Sequence, residues 1–128
     1  SVDVVFNLAV IPIVTSLTEP AWTFKTNVDM STIFCELARK DYFKKLVQYS
    51  SSEVYGTANY VPMDEKHPLN PETPYAASKA ATDHMVLSYV RTFGIDELNI
   101  EFLKTVDAVA FPGGMGNADD FYDIFIIR

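Results

Sequence analysis

The sequence predicts an α/β fold built on a partial, doubly wound parallel sheet. Three observations point there. Short β-branched runs alternate with two long helical patterns, and the order strand, helix, strand, helix, strand calls for parallel βαβ units with helices over the sheet. The helical patterns are bracketed by their own start and stop residues. A run of three serines, Ser50-Ser51-Ser52, falls at the carboxyl end of the second strand, where such sheets bind their ligands.

Residues 3–8 form the first strand, a short β-branched run. A loop with Pro12, Thr15 and Ser16 follows. Thr18-Glu19-Pro20 starts a helix, with the cap at Thr18 or Glu19 and Pro20 in the first turn. Val28, Ile33, Phe34, Leu37 and Ala38 carry a helical period to Arg39-Lys40, whose charges suit the C-terminal end of a helix dipole. Cys35 lies in that pattern and reads as a small buried side chain. Residues 46–49 are the second strand and run straight into the serines. Residues 57–73 are a Pro- and Asn-rich loop of a length that in compact domains is often functional. Thr73-Pro74 starts the second long helix and Gly94 stops it. Residues 98–103 form the third strand, which residues 106–111 extend or bend. Residues 112–117 read as a turn and residues 119–127 as a short helix or mixed element. Trp22 and the phenylalanines are expected to line the core or a pocket, and His67 and His84 to lie at the surface or against a helix.

A chain of 128 residues suffices for one domain with a real core. The formal net charge is −7, and an acidic surface repels phosphate backbones, so no nucleic-acid partner is expected. No apolar run reaches the length of a membrane span. The single cysteine excludes an internal disulfide and fits a reducing, cytoplasmic setting. Two histidines and one widely spaced cysteine give no metal pattern. Residues 2–6 already read as a buried strand and residues 125–128 stop within an apolar segment, so the chain is expected to be the central part of a larger fold.

Chemistry concentrates in Tyr75-Ala76-Ala77-Ser78-Lys79. A phenol and an ammonium four residues apart on a helix share one face. The ammonium favours the phenolate and lowers the tyrosine pKa. That makes a plausible general base for an alcohol proton, and so an enzyme that oxidises a hydroxyl group.

Ser51-Ser52-Glu53-Val54-Tyr55-Gly56 and Pro74-Tyr75-Ala76-Ala77-Ser78-Lys79, joined by Asp64-Glu65 and His67-Pro68-Leu69, resemble the extended short-chain dehydrogenase/reductase family of nucleotide-sugar epimerases and dehydratases. Val4-Val5-Phe6-Asn7-Leu8-Ala9 resembles that family's fourth strand and following turn, and Thr26-Asn27-Val28 its Asn-Val element. Residues 61–69, with Ile11-Pro12 and Ser16, look most like the branch with UDP-N-acetylglucosamine and dTDP-glucose 4,6-dehydratases.

The resemblance implies a single partial NAD(P)-binding Rossmann-like domain over residues 1–128, lacking the N-terminal Gly-rich βαβ unit. It implies NAD as cofactor, a nucleotide-sugar as substrate and a homodimer of the parent. Tyr75 takes the proton of the sugar C4 hydroxyl as hydride passes to NAD. Lys79 lowers the Tyr75 pKa and hydrogen-bonds the nicotinamide ribose. Ser51 shares the proton network with the substrate oxygen. Glu53 matches the dehydratase base for the C5 proton, and Ser52 stands where dehydratases carry an acid for the C6 hydroxyl. The cofactor set is Leu8, Ala9, Asn27, Ser50, Tyr75 and Lys79, with Asn27 anchoring backbone or a water. Asp107 stands where the family's Asn contacts the nucleotide-sugar, and Met30-Ser31 replaces its Gly-Thr.

Two functions follow: a segment of an NAD-dependent 4,6-dehydratase, with 4-epimerase or decarboxylase as alternatives, or a non-catalytic truncated homologue. The Gly-rich turn and later acidic residue that a dinucleotide needs have no match; Gly113-Gly114-x-Gly116 has the wrong spacing and reads as a turn. The isolated 128 residues are therefore expected to bind NAD weakly or not at all; tight binding by calorimetry contradicts this.

Overall fold

A computed structural model describes residues 2–94 and 100–102. Strand β1 (Val2–Asn7) leads through a short helix α1 (Ile13–Thr18) into the long helix α2 (Pro20–Arg39). Strand β2 (Phe43–Gln48), a 3-10 turn (Ser52–Tyr55), helix α3 (Pro74–Phe93) and strand β3 (Ile100–Phe102) follow. The sheet has the order β1-β2-β3, and both pairings are parallel. The alternation read from sequence is thus observed.

Local signals fix α3. The Thr73 hydroxyl accepts from the Ala76 N–H at 3.0 Å, Pro74 occupies the first turn, and Gly94 closes the helix at φ 61°. For α2, Glu19 is the capping residue but its side chain makes no cap hydrogen bond. Helix α1 replaces the loop expected there. Its β-branched residues favour helix poorly, but Ser16 is buried and donates to the Ile13 carbonyl at 2.7 Å while the turn packs on α2 and α3. Tertiary contact overrides propensity. Strand β2 begins three residues before the expected start. Lys44 extends it by pairing with Asp3 across the ladder at 2.7 Å.

Helices α2 and α3 pack on each other and on one sheet face. Cys35, Phe43, Leu46, Val86 and Val90 form the core, with Val5, Phe34 and Leu37 at its edge. Burial, reinforced by the neighbouring Glu36 charge, pushes the Cys35 thiol up to about 11, the behaviour of a packing residue. Between the helices, Glu36 accepts from Tyr89 at 2.9 Å and pairs with Arg39 at 2.7 Å. The alternate residues of β1, Val2, Val4 and Phe6, are exposed, so the described residues build the winding on one face of the sheet. Trp22 and Phe93, expected inside, are also about half exposed, Phe93 resting against Tyr89 and beneath the Arg39 guanidinium of α2.

Leu46 is fully buried between strands and helices. Leu46→Ala is expected to cost about 2–5 kcal/mol, measured by urea unfolding of the full-length protein.

Candidate active site

Parallel strands β1 and β2 end side by side, with Asn7 in register with Gln48. Both are buried polar residues, so their groups need partners. Asn7 Nδ2 donates to Gln48 Oε1 at 2.8 Å and to Ser31 Oγ at 3.3 Å, and Asn7 Oδ1 accepts from the Ala9 N–H at 3.3 Å. Gln48 Nε2 then donates to the Tyr49 carbonyl at 3.3 Å. The two strand ends are laced into one polar floor.

Helix α3 lies over that floor. Lys79 is only 6 % exposed, and its ammonium donates to the Tyr49 carbonyl. Four residues on, Asp83 accepts from the Ser50 hydroxyl. Two consecutive residues at the end of β2 are therefore held by one face of α3, and Tyr75 lies one turn earlier on that face. Burial pulls the Lys79 pKa below the usual lysine value, and the Asp83 charge opposes that shift. Burial raises the Asp83 pKa, while the Ser50 hydrogen bond and the Lys79 charge work against it.

The serine run turns at this end. Ser51 is extended and caps the 3-10 turn, its Oγ accepting from the Glu53 N–H at 3.3 Å. A hydroxyl that accepts still carries its own donor proton. Ser52 and Glu53 lie in the turn, which packs against α3. Gly56 closes it at φ 63°; a Cβ there would sit 2.1 Å from the Asn70 carbonyl oxygen, so no side chain fits.

Asn27 ties the loop after β1 to both helices. Its Oδ1 accepts from the Ile11 N–H at 2.7 Å, and its Nδ2 donates to the Ile11 carbonyl at 3.2 Å and to Ser78 Oγ at 3.0 Å. Ser78 in turn donates to the Tyr75 carbonyl at 2.6 Å. Asn27 is thus an anchor for the backbone next to Leu8 and Ala9, which stay exposed at the carboxyl end of β1.

The loop over residues 57–73 holds no strand or helix. His67, expected at the surface or against a helix, is instead buried within it. Its Nε2 accepts from the Asn59 N–H at 2.9 Å, its Nδ1 lies 2.9 Å from the Pro68 carbonyl, and Tyr55 and Tyr60 flank the ring. The Asn70 N–H donates to the Val54 carbonyl of the 3-10 turn at 3.0 Å, and Thr57 donates to Glu72, tying the two ends of the loop together.

The structure thus gathers Ser50, Ser51, Ser52, Glu53, Tyr75 and Lys79 around the end of β2. Asp107 and the Gly113-Gly114 segment lie outside the described residues. Asn7, Gln48, Ser78 and Asp83 were missed. Asn7 and Ser78 stand inside the quoted motifs and Asp83 is spaced four from Lys79 on the same helix face, whereas Gln48 carries no such signal.

A family model described as GDP-mannose 4,6 dehydratase matches residues 1–106. The chain belongs to this family. The resemblance to extended short-chain dehydrogenases/reductases, read above from two motifs, is confirmed by the match. A dTDP-glucose 4,6-dehydratase of Streptomyces antibioticus is 38% identical over 81 residues, 63% of this chain and 24% of the relative. The dTDP-glucose 4,6-dehydratase DesIV of Streptomyces venezuelae, solved with NAD and TYD bound, superposes with TM-score 0.70 at 30% identity, over 78% of this chain and 30% of that one. A UDP-N-acetylglucosamine 4-epimerase of Methanobrevibacter ruminantium M1, in complex with UDP-N-acetylmuramic acid, gives TM-score 0.69 at 33% identity, over 73% of this chain and 31% of the other. The fold is a partial Rossmann-like α/β fold, and the chain spans a quarter to a third of these relatives' length.

Asn27→Ala orphans the Ile11 N–H and removes the tie to Ser78. It is expected to cost about 1–3 kcal/mol of stability, read by denaturant unfolding of the full-length protein.

Proposed function

We propose that these residues are the catalytic-motif segment of an NAD-dependent nucleotide-sugar dehydratase or epimerase that begins by oxidising the sugar C4 hydroxyl. The carrying observation is the buried Lys79 ammonium on the Tyr49 carbonyl, which sets the Tyr75 face of α3 beside the serine run. On this view residues 1–128 are one partial NAD(P)-binding domain, the central segment of a cytoplasmic protein whose full-length form pairs as a homodimer.

The described residues fit such a cofactor. An ammonium has three protons, and Tyr49 takes one, so Lys79 keeps donors for ribose hydroxyls. Leu8 and Ala9 offer an open edge at the neighbouring strand end, and Asn27 fixes the backbone behind them. Asn27 therefore serves the cofactor by positioning rather than by contact. When bound, NAD accepts the hydride from C4. Tyr75 takes the hydroxyl proton as a phenolate held in that form by Lys79. Ser51 offers its free proton to the same oxygen. Glu53 is the base for the C5 proton in a dehydratase, and Asp107 stands at the sequence position of the family's Asn that contacts the nucleotide-sugar.

The 4,6-dehydratase is favoured by Glu53, a carboxylate-bearing residue in the turn that packs on α3. A second reading, 4-epimerase, is favoured by Ser52, since a serine hydroxyl is a far weaker acid than the carboxyl a C6 elimination uses. Full-length protein incubated with NAD and UDP-, dTDP- or GDP-hexoses is expected to give a 4-keto-6-deoxy sugar; a C4 epimer instead supports the second reading. Tyr75→Phe is expected to lower turnover by about 10²–10⁴-fold, the usual worth of a general base. Near-normal turnover in that variant contradicts the assignment, and no product from the parent protein supports a non-catalytic homologue.

A further inference from the structure

The face of α3 that carries Tyr75 and Lys79 continues to a third polar residue. Asp83 lies one turn beyond Lys79. Its Oδ2 accepts from the Ser50 hydroxyl, while its buried Oδ1 finds no hydrogen-bond partner among the described residues. A carboxylate left half-satisfied away from water is costly unless its charge does something for its neighbours. Its neighbour is a nearly buried ammonium, which faces the same cost.

We propose that Asp83 is a positioning residue that keeps Lys79 protonated at the end of β2 and, through Ser50, holds the start of the serine run against α3. The inference rests on the reading of Tyr75 and Lys79 as the proton-handling pair and deepens it. The groups around Asp83 support it. On α3 they are Lys79 and His84, both acting to keep the carboxyl ionised; on the 3-10 turn Tyr55 feels the Asp83 charge; and the two residues after β2 present the Tyr49 carbonyl and the Ser50 hydroxyl. Burial pulls Lys79 toward the neutral amine and Asp83 pulls it back. Without the carboxylate, the ammonium is lost at lower pH, and with it the charge that favours the Tyr75 phenolate.

The test is an NMR titration of the lysine side-chain carbons in the full-length protein, with Lys79→Met assigning the resonance. In Asp83→Asn, which keeps the shape, the Lys79 midpoint is expected about one pH unit or more below the wild-type value. Asp83→Glu, which keeps the charge, is expected to restore it. The alkaline limb of the kcat–pH profile is expected to move down with the Lys79 midpoint. If Asp83→Asn does not fold, the smaller Asp83→Ser is measured in its place. An unmoved Lys79 midpoint in a folded neutral variant overturns the proposal, even where turnover or stability falls. The titration needs no substrate, so it decides the role of Asp83 even if the wild-type protein forms no 4-keto sugar or epimer, an outcome that removes only the reading of the reaction.

Discussion

A lysine ammonium buried at the end of a parallel strand is the constraint around which the described site is arranged. Such a charge is stable only where the protein replaces its lost water. Here the replacement comes from backbone and side chains together: the Tyr49 carbonyl accepts its proton, and Asp83 supplies the opposing charge. Meeting that need holds α3 against residues 49–50, and the 3-10 turn that follows the serine run packs on the same helix. The cost of burying Lys79 and the geometry of the site are one problem with one solution.

The rest of the fold supplies a rigid base for that contact. The Asn7–Gln48 pair locks two neighbouring strand ends, and Asn27 locks the loop beyond β1 to α2 and to Ser78 on α3. Each bond satisfies a buried polar group, so each also specifies a register rather than merely adding stability. The apolar core under the helices is small and clusters around Leu46, Val86 and Cys35. Its counterpart on the other sheet face, where Val2, Val4 and Phe6 are exposed, is not built by the described residues. Consistent with this, the chain spans a quarter to a third of the relatives it matches.

What the sequence made legible was local or motif-borne. Thr73, Pro74 and Gly94 bound α3 because caps act within one turn. Strand and helix alternation gave the parallel sheet, and the spacing of Tyr75 and Lys79 gave a shared helix face. Helix α1 was illegible because its residues favour strands or loops and only burial of Ser16 makes the turn worthwhile. His67 looked like a surface residue because nothing in its neighbourhood announces the Asn59 amide that it accepts from, eight residues away. Asn7 and Gln48, 41 residues apart, and Asn27 and Ser78, 51 apart, meet only once the chain has folded. Polar side chains in a strand or helix interior carry no sequence mark of whether they face water or each other.

On the proposed function, Tyr75 and Ser51 meet the C4 oxygen of a nucleotide-sugar while Lys79 stays buried on the Tyr49 carbonyl. A crystal structure of the full-length protein with NAD and a nucleotide-hexose tests it most directly. The Tyr75 and Ser51 hydroxyls are each expected within about 3.2 Å of the C4 oxygen, with Lys79 still donating to the Tyr49 carbonyl. A sugar bound with its C4 oxygen out of reach of Tyr75, or a Lys79 turned away from Tyr49 into solvent, contradicts it.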